Sequence, residues 1–493
     1  MNITSNKQLD RKDVRGQIIS IFFIQITSTI SFAVFYSGLS IYLTQNQFFS
    51  KESASLVTGL FLSINYFLPL IGGIIANHFI SFKKLYVIGT ISNFIGCLLL
   101  INNNLYLGLS LFLMSSVSNV CLNIFLTQLF TINQKIQRRV AFIWNYVGMN
   151  LGFMLGYFLT GFSTITNSYF YLFILMSFLV VLSLILTIIF IKEPKVSSRI
   201  SKSAWHQIMI GAFIIILLVA VIDMLFHYAN VMHNFITGFT IIMFCLIMYY
   251  ALTKSRHDQK QNLIKFIYFS LLTIIFWTFY MLTPIAIMQL IENSVQRNLF
   301  NIYFAPQWFT NINSVVILVF APILTMLIKS KKIFNDSENY FTIGFLFVFF
   351  GFVLMTLGLY SSIGLAKLSS LSVLGYLVCL TFGELFISAI GDSFIGELIQ
   401  ESLRGLMTGV ARVNICIGVL LASTIGNEFV LPYINKGGLS VESSIKLVQF
   451  FFIASCLFLL LACLVPLILR NKRVSKQKYN DMIKKDEILG ELL

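Results

Sequence analysis

The chain is predicted to be an all-α membrane protein with fourteen transmembrane helices. Hydrophobic residues make up 57% of its 493 residues and charged residues only 11%, and the mean hydropathy is +0.86. Apolar runs of about 20 residues recur from one end of the chain to the other, and each is long enough to cross a bilayer as a helix. The polar connections between these runs are all short, which excludes a soluble globular domain.

Each predicted span begins and ends where polar or basic residues interrupt an apolar run. The first run is too long for the hydrophobic region of a signal peptide and lacks a small-residue cleavage site, so we expect it to be a true span. The spans lie at approximately 17–44, 54–78, 84–102, 107–130, 140–162, 168–191, 205–227, 232–252, 265–290, 308–328, 340–362, 369–399, 405–433 and 445–469.

The placement of lysine and arginine predicts the orientation. If both termini are cytoplasmic, 28 of the 34 basic residues fall in cytoplasmic segments, five in outer loops, and Arg412 within a helix. This distribution follows the positive-inside rule. We therefore expect a multi-pass protein of the cell (inner) membrane with both termini in the cytoplasm. The net charge of +15 is then a topology signal that favours contact with anionic lipid.

The same residues argue against several other functions. The basic segment 470–493 contains one aromatic residue, Tyr479, so we expect no nucleic-acid partner. All seven cysteines lie in apolar spans without a Cys-x-x-Cys pair, which predicts neither a disulfide framework nor a metal site. His227 follows Asp223 by four residues, but two groups do not make a metal site. No nucleophile–base set or phosphate loop is present, so we expect neither an enzyme nor a cofactor.

Two six-helix halves flank a two-helix hairpin. The predicted divisions are a cytoplasmic N-terminus (1–16), an N-terminal six-helix bundle (17–192), a linker with the helical hairpin (193–264), a C-terminal six-helix bundle (265–470) and a cytoplasmic tail (471–493). This layout is typical of secondary transporters built from repeats, in which the substrate site lies at the bilayer midplane between the halves. A small-molecule substrate and a monomeric protein are expected.

A single carboxylate, Glu384, lies in the otherwise uncharged and largely apolar stretch from Leu371 to Ile390. An ionisable group at bilayer depth costs about 2.5 kcal/mol or more even on lenient scales, so it marks a functional site. The structural alternative is a carboxylate paired to a neighbouring helix. The functional reading is the one we favour, and it makes Glu384 the best lead to function in this chain.

Four segments resemble those of a known family. Residues 72–84 resemble the motif after the second helix of the major facilitator superfamily, with Asn77 in place of its Asp. Residues 383–389 and 404–407 resemble the GEL-x-x-SP…RGLM stretch of the proton-dependent oligopeptide transporters. Residues 145–152 are similar to their FY-x-x-IN-x-G motif, and residues 276–322 to their seventh and eighth helices with the loop between. The chain is identified as a divergent member, which implies the major facilitator fold with the hairpin inserted between the two bundles.

The resemblance implies where substrate binds. Glu384, Asn150 and Asn313 would accept hydrogen bonds from an ammonium group. Tyr36 and Tyr66 match tyrosines near the family's site and offer hydroxyls and ring faces, including a cation–π contact. Packing is the alternative for both asparagines and both tyrosines.

The family binds the peptide carboxylate with buried basic residues, its basic pole, and this chain lacks them. Its first-helix Glu-x-x-Glu-Arg set falls here at Thr29, Phe32 and Ala33, and its fourth-helix lysine at Cys121. A peptide carboxylate would therefore be buried without a cation opposite, at a cost of several kcal/mol. We expect a secondary transporter that moves an amine-bearing or uncharged polar solute, peptide-like or a modified metabolite, by alternating access. Proton coupling through Glu384 is open, because the family's coupling set is absent.

Asp392 and Arg412 are expected to form a buried ion pair. Asp392 lies ten residues before Ser402 and Arg412 ten after it, so in an antiparallel helix pair both lie at a similar depth. The functional alternative is that Arg412 supplies the missing anion site or a gating salt bridge. Glu384, Asp392 and Arg412 are thus the candidates for proton coupling or gating.

Two other functional classes stay open. A fourteen-span drug or metabolite exporter of the same superfamily shares the topology, but the fifth span has no proline, unlike the proline-rich motif expected there. A transporter-derived sensor that does not transport would explain the lost charges. Such a sensor has no need to keep Glu384, Asn150 and Asn313 together.

Overall fold

The computed structural model describes residues 11–130, 135–192, 205–255, 260–299, 301–329, 337–365, 367–398, 401–435 and 437–490. These residues are almost entirely helical. The long helices are α1 (Arg11–Gln45), α2 (Lys51–His78), α3 (Phe82–Ile101), α4 (Leu105–Thr127), α5 (Lys135–Ile165), α6 (Tyr169–Phe190), α7 (Trp205–His227), α8 (Ala229–Lys254), α9 (Lys260–Tyr280), α11 (Pro306–Lys329), α12 (Ser337–Ser361), α13 (Ser370–Leu398), α14 (Glu401–Phe429) and α15 (Val441–Gly490).

These fourteen helices confirm the predicted fold class. The ninth span is longer than predicted, because a π-helical segment (Thr283–Ile287) and the short helix α10 (Met288–Ser294) continue α9. The last helix is longer too, since α15 runs through the segment assigned to the tail. The remaining elements are small: β1 (Asn298–Leu299) pairs antiparallel with β2 (Ile302–Tyr303) in the loop after α10, and a 3₁₀ turn (Leu431–Tyr433) follows α14.

Twelve of the fourteen helices contain, among their described residues, a stretch long and apolar enough to cross a membrane. Helices α5 and α11 carry polar residues of the motifs noted above, and they pack against each other across the two halves. Polar residues at depth in a bundle face its interior or a water-filled cavity rather than lipid, so this pair of helices lies beside the pathway expected between the halves.

Helices α1–α6 form the first bundle. In it, α1 packs on α5 and α6, α3 on α4 and α6, and α2 on α4. The α3–α4 contact is close because small residues face each other: a Cβ added at Gly96 would lie 2.7 Å from the carbonyl oxygen of Gly108. Without a strong hydrophobic force between helices in lipid, such close backbone approach is a main source of packing energy.

The second bundle contains α9–α15. Its α12 packs on both α13 and α15, α14 packs on α9, and α11 on α13. Aromatic side chains fill this core. The Phe352 ring lies 5.5 Å from that of Phe458, stacked, and 5.3 Å from that of Tyr376, edge to face. Such offset and edge-to-face arrangements are the favourable ones for aromatic pairs.

The hairpin α7–α8 packs on the outside of both bundles. Helix α7 contacts α4 and α2, while α8 contacts α14 and α2. Most of the apolar surface of the hairpin is exposed, as expected for helices that face lipid. His227 Nδ1 lies 3.4 Å from Asp223 Oδ2 at the end of α7.

The two bundles are tied together at one end. We call the end with the Lys83 and Lys192 loops the basic face and the other end the opposite face. At the opposite face, Gln289 Nε2 of α10 donates to the Ser40 carbonyl and hydroxyl of α1, at 2.9 and 3.0 Å. Gln45 Nε2 donates to Glu292 Oε1 at 3.0 Å.

Two further helix pairs extend this closure: α5 with α11, and α2 with α14. Trp308 Nε1 of α11 donates to the Phe158 carbonyl of α5 at 3.1 Å, and Gln307 Nε2 donates to Thr164 Oγ1 at 2.9 Å. The hydroxyls of Ser55 and Ser423 join α2 to α14 at 3.1 Å. These contacts close the opposite face between the bundles.

Candidate functional site

The Glu384 carboxylate is held by donors from two neighbouring helices. Tyr280 at the end of α9 donates its hydroxyl to Glu384 Oε2 at 2.6 Å, and Asn313 Nδ2 of α11 donates to the same oxygen at 2.8 Å. When Glu384 is ionised, both are hydrogen bonds to a charged acceptor, the stronger class. Three helices of the second bundle therefore converge on one carboxylate oxygen.

Asn313 links this cluster together. Besides Glu384, its Nδ2 lies 3.1 Å from the Tyr280 hydroxyl and 3.3 Å from Thr381 Oγ1. An amide nitrogen has only two hydrogens to donate, so these acceptors compete for them. The arrangement holds the amide group beside the carboxylate.

The other carboxylate oxygen, Oε1, accepts no hydrogen bond within the part of the chain that the structure describes. The side chain is half-buried. The ion pairs found among the described residues are Asp223–His227 and Glu292–Arg297, neither of which involves Glu384. The alternative of a carboxylate paired with a cation on a neighbouring helix thus has no partner among these residues. Oε1 is therefore free to accept a hydrogen bond from a ligand.

Tyrosines surround this carboxylate from both bundles. Five hydroxyls lie within electrostatic range of it: those of Tyr36, Tyr66, Tyr146, Tyr157 and Tyr280. The sequence indicated the first two; the other three were missed. Tyr280 lies three residues after the Phe-Trp pair of the recognised seventh-helix segment, which is the one signal that could have found it.

An aromatic wall on the first bundle faces this cluster. The Phe32 ring lies 5.9 Å from that of Tyr36, 6.3 Å from Tyr66 and 6.0 Å from Phe153, and the Tyr36 ring lies 6.1 Å from Tyr157. The Tyr36 hydroxyl has a weak contact to Met281 Sδ at 3.9 Å. Ring faces of this kind attract cations, so the wall favours a positively charged group in front of it.

A small cavity lies between the two bundles at this level. Three of its lining residues, Tyr280, Asn313 and Thr381, also surround Glu384. The complete lining is Tyr36, Tyr157, Tyr280, Thr283, Thr310, Ile312, Asn313, Leu377, Leu380 and Thr381. Its free volume of about 20 Å³ is roughly that of one water molecule, so a solute enters only when the bundles move apart.

Neutral groups replace the charges that the family resemblance implies in the first bundle. Gln25 Nε2 donates to Thr29 Oγ1 at 3.0 Å, and Asn145 Nδ2 donates to Gln25 Oε1 at 3.3 Å. Ala33 and Cys121 are both fully buried, at 0% exposed. At these positions the first bundle offers hydrogen bonds but no charge to a bound anion.

Asn150 is not brought to Glu384. Its Nδ2 donates to the Tyr146 carbonyl on its own helix at 3.0 Å, and the residue is buried at 2% exposed. A helical residue bonded four positions back is a common packing arrangement. Its predicted role in binding substrate stays a prediction, whereas Asn313 does contact Glu384.

Arg412 lies beside α2. Cys416, one turn later on α14, has its Sγ 3.4 Å from the Ser63 carbonyl of α2, and residues four apart share a helix face. Arg412 is exposed and within electrostatic range of Tyr66 and Cys416. The side chain of Asp392 lies outside the described residues, so the Asp392–Arg412 pair stays a prediction. Asn77 likewise has no described side chain.

Metal-binding chemistry finds no support in the described ranges, where no group of three or more His, Cys, Asp or Glu residues is close enough to hold an ion. What the site offers is one carboxylate, several hydroxyls, an amide and aromatic faces. Such a set recognises a solute by hydrogen bonding and charge.

Comparison with known proteins gives a consistent result. Residues 21–423 match the model of the Major Facilitator Superfamily. Dipeptide and tripeptide permease A of Erwinia pyrifoliae is 22% identical over 432 residues, which cover 84% of this chain and 85% of that protein. Peptide transporter YePEPT of Yersinia enterocolitica is 22% identical over 409 residues, covering 77% and 80%.

Solved structures show the same fold. A crystal structure of tetrameric PepTSo2 has a TM-score of 0.80 at 15% identity and covers 93% of this chain and 99% of that one. A POT family transporter in complex with 5-aminolevulinic acid has a TM-score of 0.77 at 17% identity, covering 92% and 96%. The sequence-based identification is confirmed: the chain belongs to the Major Facilitator Superfamily, and the relatives it resembles are peptide transporters.

Proposed function

We propose that the protein is a secondary active transporter that moves a small amine-bearing or uncharged polar solute by alternating access. The observation that carries the proposal is the Glu384 carboxylate, which is held by Tyr280 and Asn313 and has no cation opposite it among the described residues. An ionised carboxylate at bilayer depth without a counter-ion is costly, and a substrate ammonium at Oε1 relieves that cost. The peptide-transporter relatives support a peptide-like or related metabolite as substrate.

An ordinary free peptide fits this site poorly. Its ammonium group would contact Glu384. Its carboxylate would lie toward Thr29, Phe32 and Ala33, where a basic group would be needed. A POT family transporter has been solved with 5-aminolevulinic acid, an amine that is not a peptide but that keeps a free carboxylate, so the absence of a cation at Thr29, Phe32 and Ala33 is what distinguishes the substrate proposed here. A changed substrate within the same fold is therefore the function that the residues favour.

Glu384 is also the group through which we propose proton coupling. It is the described carboxylate at the depth of the central cavity, and a proton and an ammonium compete for the same oxygen. Binding of the substrate amine displaces the proton, and return of the proton releases the amine. The cycle needs only one chain, because every group of the candidate site lies within it, so we propose that a monomer transports.

The lysine and arginine distribution supports cytoplasmic termini and insertion in the bacterial inner membrane. The basic face is then cytoplasmic and the opposite face external. Because the contacts between the bundles close the external end, we assign this conformation to the inward-facing state. Alternating access requires these contacts to break in the outward-facing state.

The proposed function is tested with the purified protein in a thermal-shift screen. The panel contains amines, free peptides, amino acids and siderophore-like metabolites, each measured on the wild type and on Glu384→Gln. An amine-bearing compound should raise the melting temperature of the wild type and leave that of Glu384→Gln unchanged. Glu428→Gln is the matched control, because Glu428 is exposed on α14 away from the site and its loss should not alter binding.

Transport is then measured in proteoliposomes. The hit compound should exchange with its labelled form in counterflow, and an imposed pH gradient should drive its accumulation. Stabilisation by free dipeptides alone would contradict the altered-substrate proposal and point to another cation, with Arg412 the first to test. Binding without counterflow would favour the sensor. Because the proton and the amine compete for Glu384, the pH gradient should drive the amine toward the acidic side in exchange for protons, and accumulation on the alkaline side would contradict coupling by this competition.

A further inference from the structure

His233 of the hairpin lies where three helices meet near the opposite face. It follows Ala229, the first residue of α8, by four positions, and it is buried at 1% exposed. Helix α8 contacts both α2 and α14, which belong to different bundles. A titratable side chain of the hairpin therefore reaches the boundary between the two bundles.

Small residues bring α2 and α14 together beside this histidine. A Cβ built at Gly59 of α2 would lie 2.8 Å from the Ser423 Cβ of α14 and 3.9 Å from His233 Nε2. Ser423 Oγ lies 3.1 Å from the Ser55 hydroxyl and donates to the Ser55 carbonyl at 3.0 Å. We call Ser55, Gly59, Leu420 and Ser423 the α2–α14 seam. The imidazole ring borders this seam.

The surroundings of the ring are enclosed and uncharged. Its Nε2 atom has no accessible surface. The polar groups that influence it are the Leu420 carbonyl of α14 and the side chain of Asn234, and neither carries a charge. An imidazolium buried here without a counter-ion would be costly. The ring is therefore neutral while the seam is closed.

Charged groups of the neighbouring helices do not compensate such a proton. The charged and histidine side chains described on α8 and on the helices that pack against it are Lys51 and Glu52 of α2, His206, Asp223 and His227 of α7, Lys254 of α8, Lys260 and Lys265 of α9, and Arg412 and Glu428 of α14. None of them is among the groups that act on His233.

Opening of the seam changes the environment of the ring. Alternating access requires α2 and α14 to separate at the opposite face, and water then reaches His233. An imidazole in water takes up a proton at about pH 6.5. A proton that binds the open form and not the closed form must shift the equilibrium toward the open form.

We propose that His233 is a proton-binding residue that opens the α2–α14 seam when the medium at the opposite face becomes acidic. The ligand is the proton, and the element with two states is the seam. This inference rests on the alternating access of the proposed function and does not depend on the substrate or on Glu384. It gives the hairpin a role, because the hairpin carries the proton-binding group to the seam.

The test is hydrogen-exchange mass spectrometry on the purified, unliganded protein. The wild type and His233→Gln are measured at about pH 5.5 and at about pH 7.5, on either side of the range in which imidazole titrates. Comparison of the two proteins at the same pH cancels the intrinsic pH dependence of exchange. The ratio of wild-type to variant exchange in peptides around 51–60 and 418–428 should rise by up to about tenfold at the lower pH. Peptides of the α12–α15 pair should show no such rise.

Matched variants isolate the histidine at position 233. His227→Gln removes a histidine that is half exposed at the end of α7, and it should keep the wild-type response to pH. Glu52→Gln and Glu428→Gln remove exposed carboxylates near the opposite-face ends of α2 and α14, and they should keep it too. His233→Phe preserves a ring that never ionises, and it replaces His233→Gln if that variant aggregates.

The outcomes separate this inference from the proposed function. A pH response of the seam peptides that persists in the His233 variants overturns the inference, and lower stability of those variants would then show a purely structural histidine. A response lost in Glu384→Gln also overturns it, because the titrating group would be in the substrate site. Neither result affects amine binding at Glu384, which the thermal-shift screen measures independently. A response lost in the His233 variants and kept in Glu384→Gln supports the inference.

Discussion

Gly156 of α5 lies directly against Ala33 of α1: a Cβ built at position 156 would be 2.5 Å from the Ala33 Cβ and 2.9 Å from the Ile30 carbonyl oxygen. Ala33 is the position at which the resemblance places the family's buried arginine. Here the two helices have closed over that place, and no room is left for a long side chain. The packing of the first bundle, and not only its sequence, therefore excludes a long basic side chain at this position.

Gly156→Ala should destabilise the first bundle. The added methyl group meets a side chain and a backbone oxygen, and overpacking of this kind costs about 1–3 kcal/mol. We expect a lower melting temperature for the purified variant. Ala33→Gly removes the closer contact, so the double variant should recover part of the loss. Full additivity of the two single effects would show that the residues do not contact each other.

Ala33→Arg should fail to restore binding of free peptides. The side chain has no space beside Gly156 and would displace α1 from α5. The expected result is a poorly folded or strongly destabilised protein in size-exclusion chromatography. A stable Ala33→Arg variant that binds free alanyl-alanine would mean that substrate choice is set by charge alone and that the helix packing adapts to it.

Tyr280→Phe should destabilise the protein and weaken amine binding only moderately. The change removes the 2.6 Å bond to Glu384, and hydrogen bonds to charged groups contribute about 1.5–3 kcal/mol. Asn313→Ala should have the larger effect, because Asn313 also contacts Tyr280 and Thr381. In a double-mutant cycle measured by thermal unfolding, the losses of stability caused by the two changes should be non-additive. Thr356→Val on α12, a threonine remote from the cluster, is a suitable control.

Gln289→Leu should loosen the opposite face. The amide of Gln289 is buried at 1% exposed and joins α10 to Ser40 and Thr44 of α1. Without it, the population should shift toward conformations open at that face. Hydrogen-exchange mass spectrometry should show faster exchange in peptides around 40–45 and 285–294, with no change in the α12–α15 pair. Unchanged exchange around 40–45 would argue against a gate at this position.

Arg412→Gln and Asp392→Asn test the ion pair predicted from their equal spacing about Ser402. If the pair exists, each single change leaves one charge without its partner, and the double variant should be less destabilised than the sum of the two. Thermal unfolding of the three variants measures this coupling. Purely additive losses would favour a separate role for Arg412, whose side chain is exposed beside α2.

The fold could be predicted from the sequence because membrane helices depend on local composition. The fourteen apolar runs correspond to fourteen helices in the structure. The predicted and observed helix ends differ mainly in two places. The π-helical segment after Tyr280 and the continuation of α15 beyond residue 469 are not visible in hydropathy. A π turn depends on how its neighbours pack, and the basic residues after Arg470 end an apolar run without ending a helix.

The site could be predicted only in part. The resemblance brought Glu384 and Asn313 together, and the structure places them 2.8 Å apart. It did not indicate Tyr280, which reaches Glu384 across 104 residues of sequence, because such a contact is set by the rotation of α9 against α13. Asn150 shows the opposite case: the motif is present, but the side chain is bonded to its own helix.

The most direct test of the central claim is the affinity of alanyl-alanine amide compared with its N-acetyl derivative, on the wild type and Glu384→Gln. Acetylation removes the positive charge and leaves the rest of the molecule in place. The account predicts that the wild type binds the amine at least tenfold more tightly than the acetylated form, the scale of a lost charge-assisted hydrogen bond, and that Glu384→Gln shows no such preference. Equal binding of both compounds by the wild type would contradict the assignment of Glu384 as the amine site.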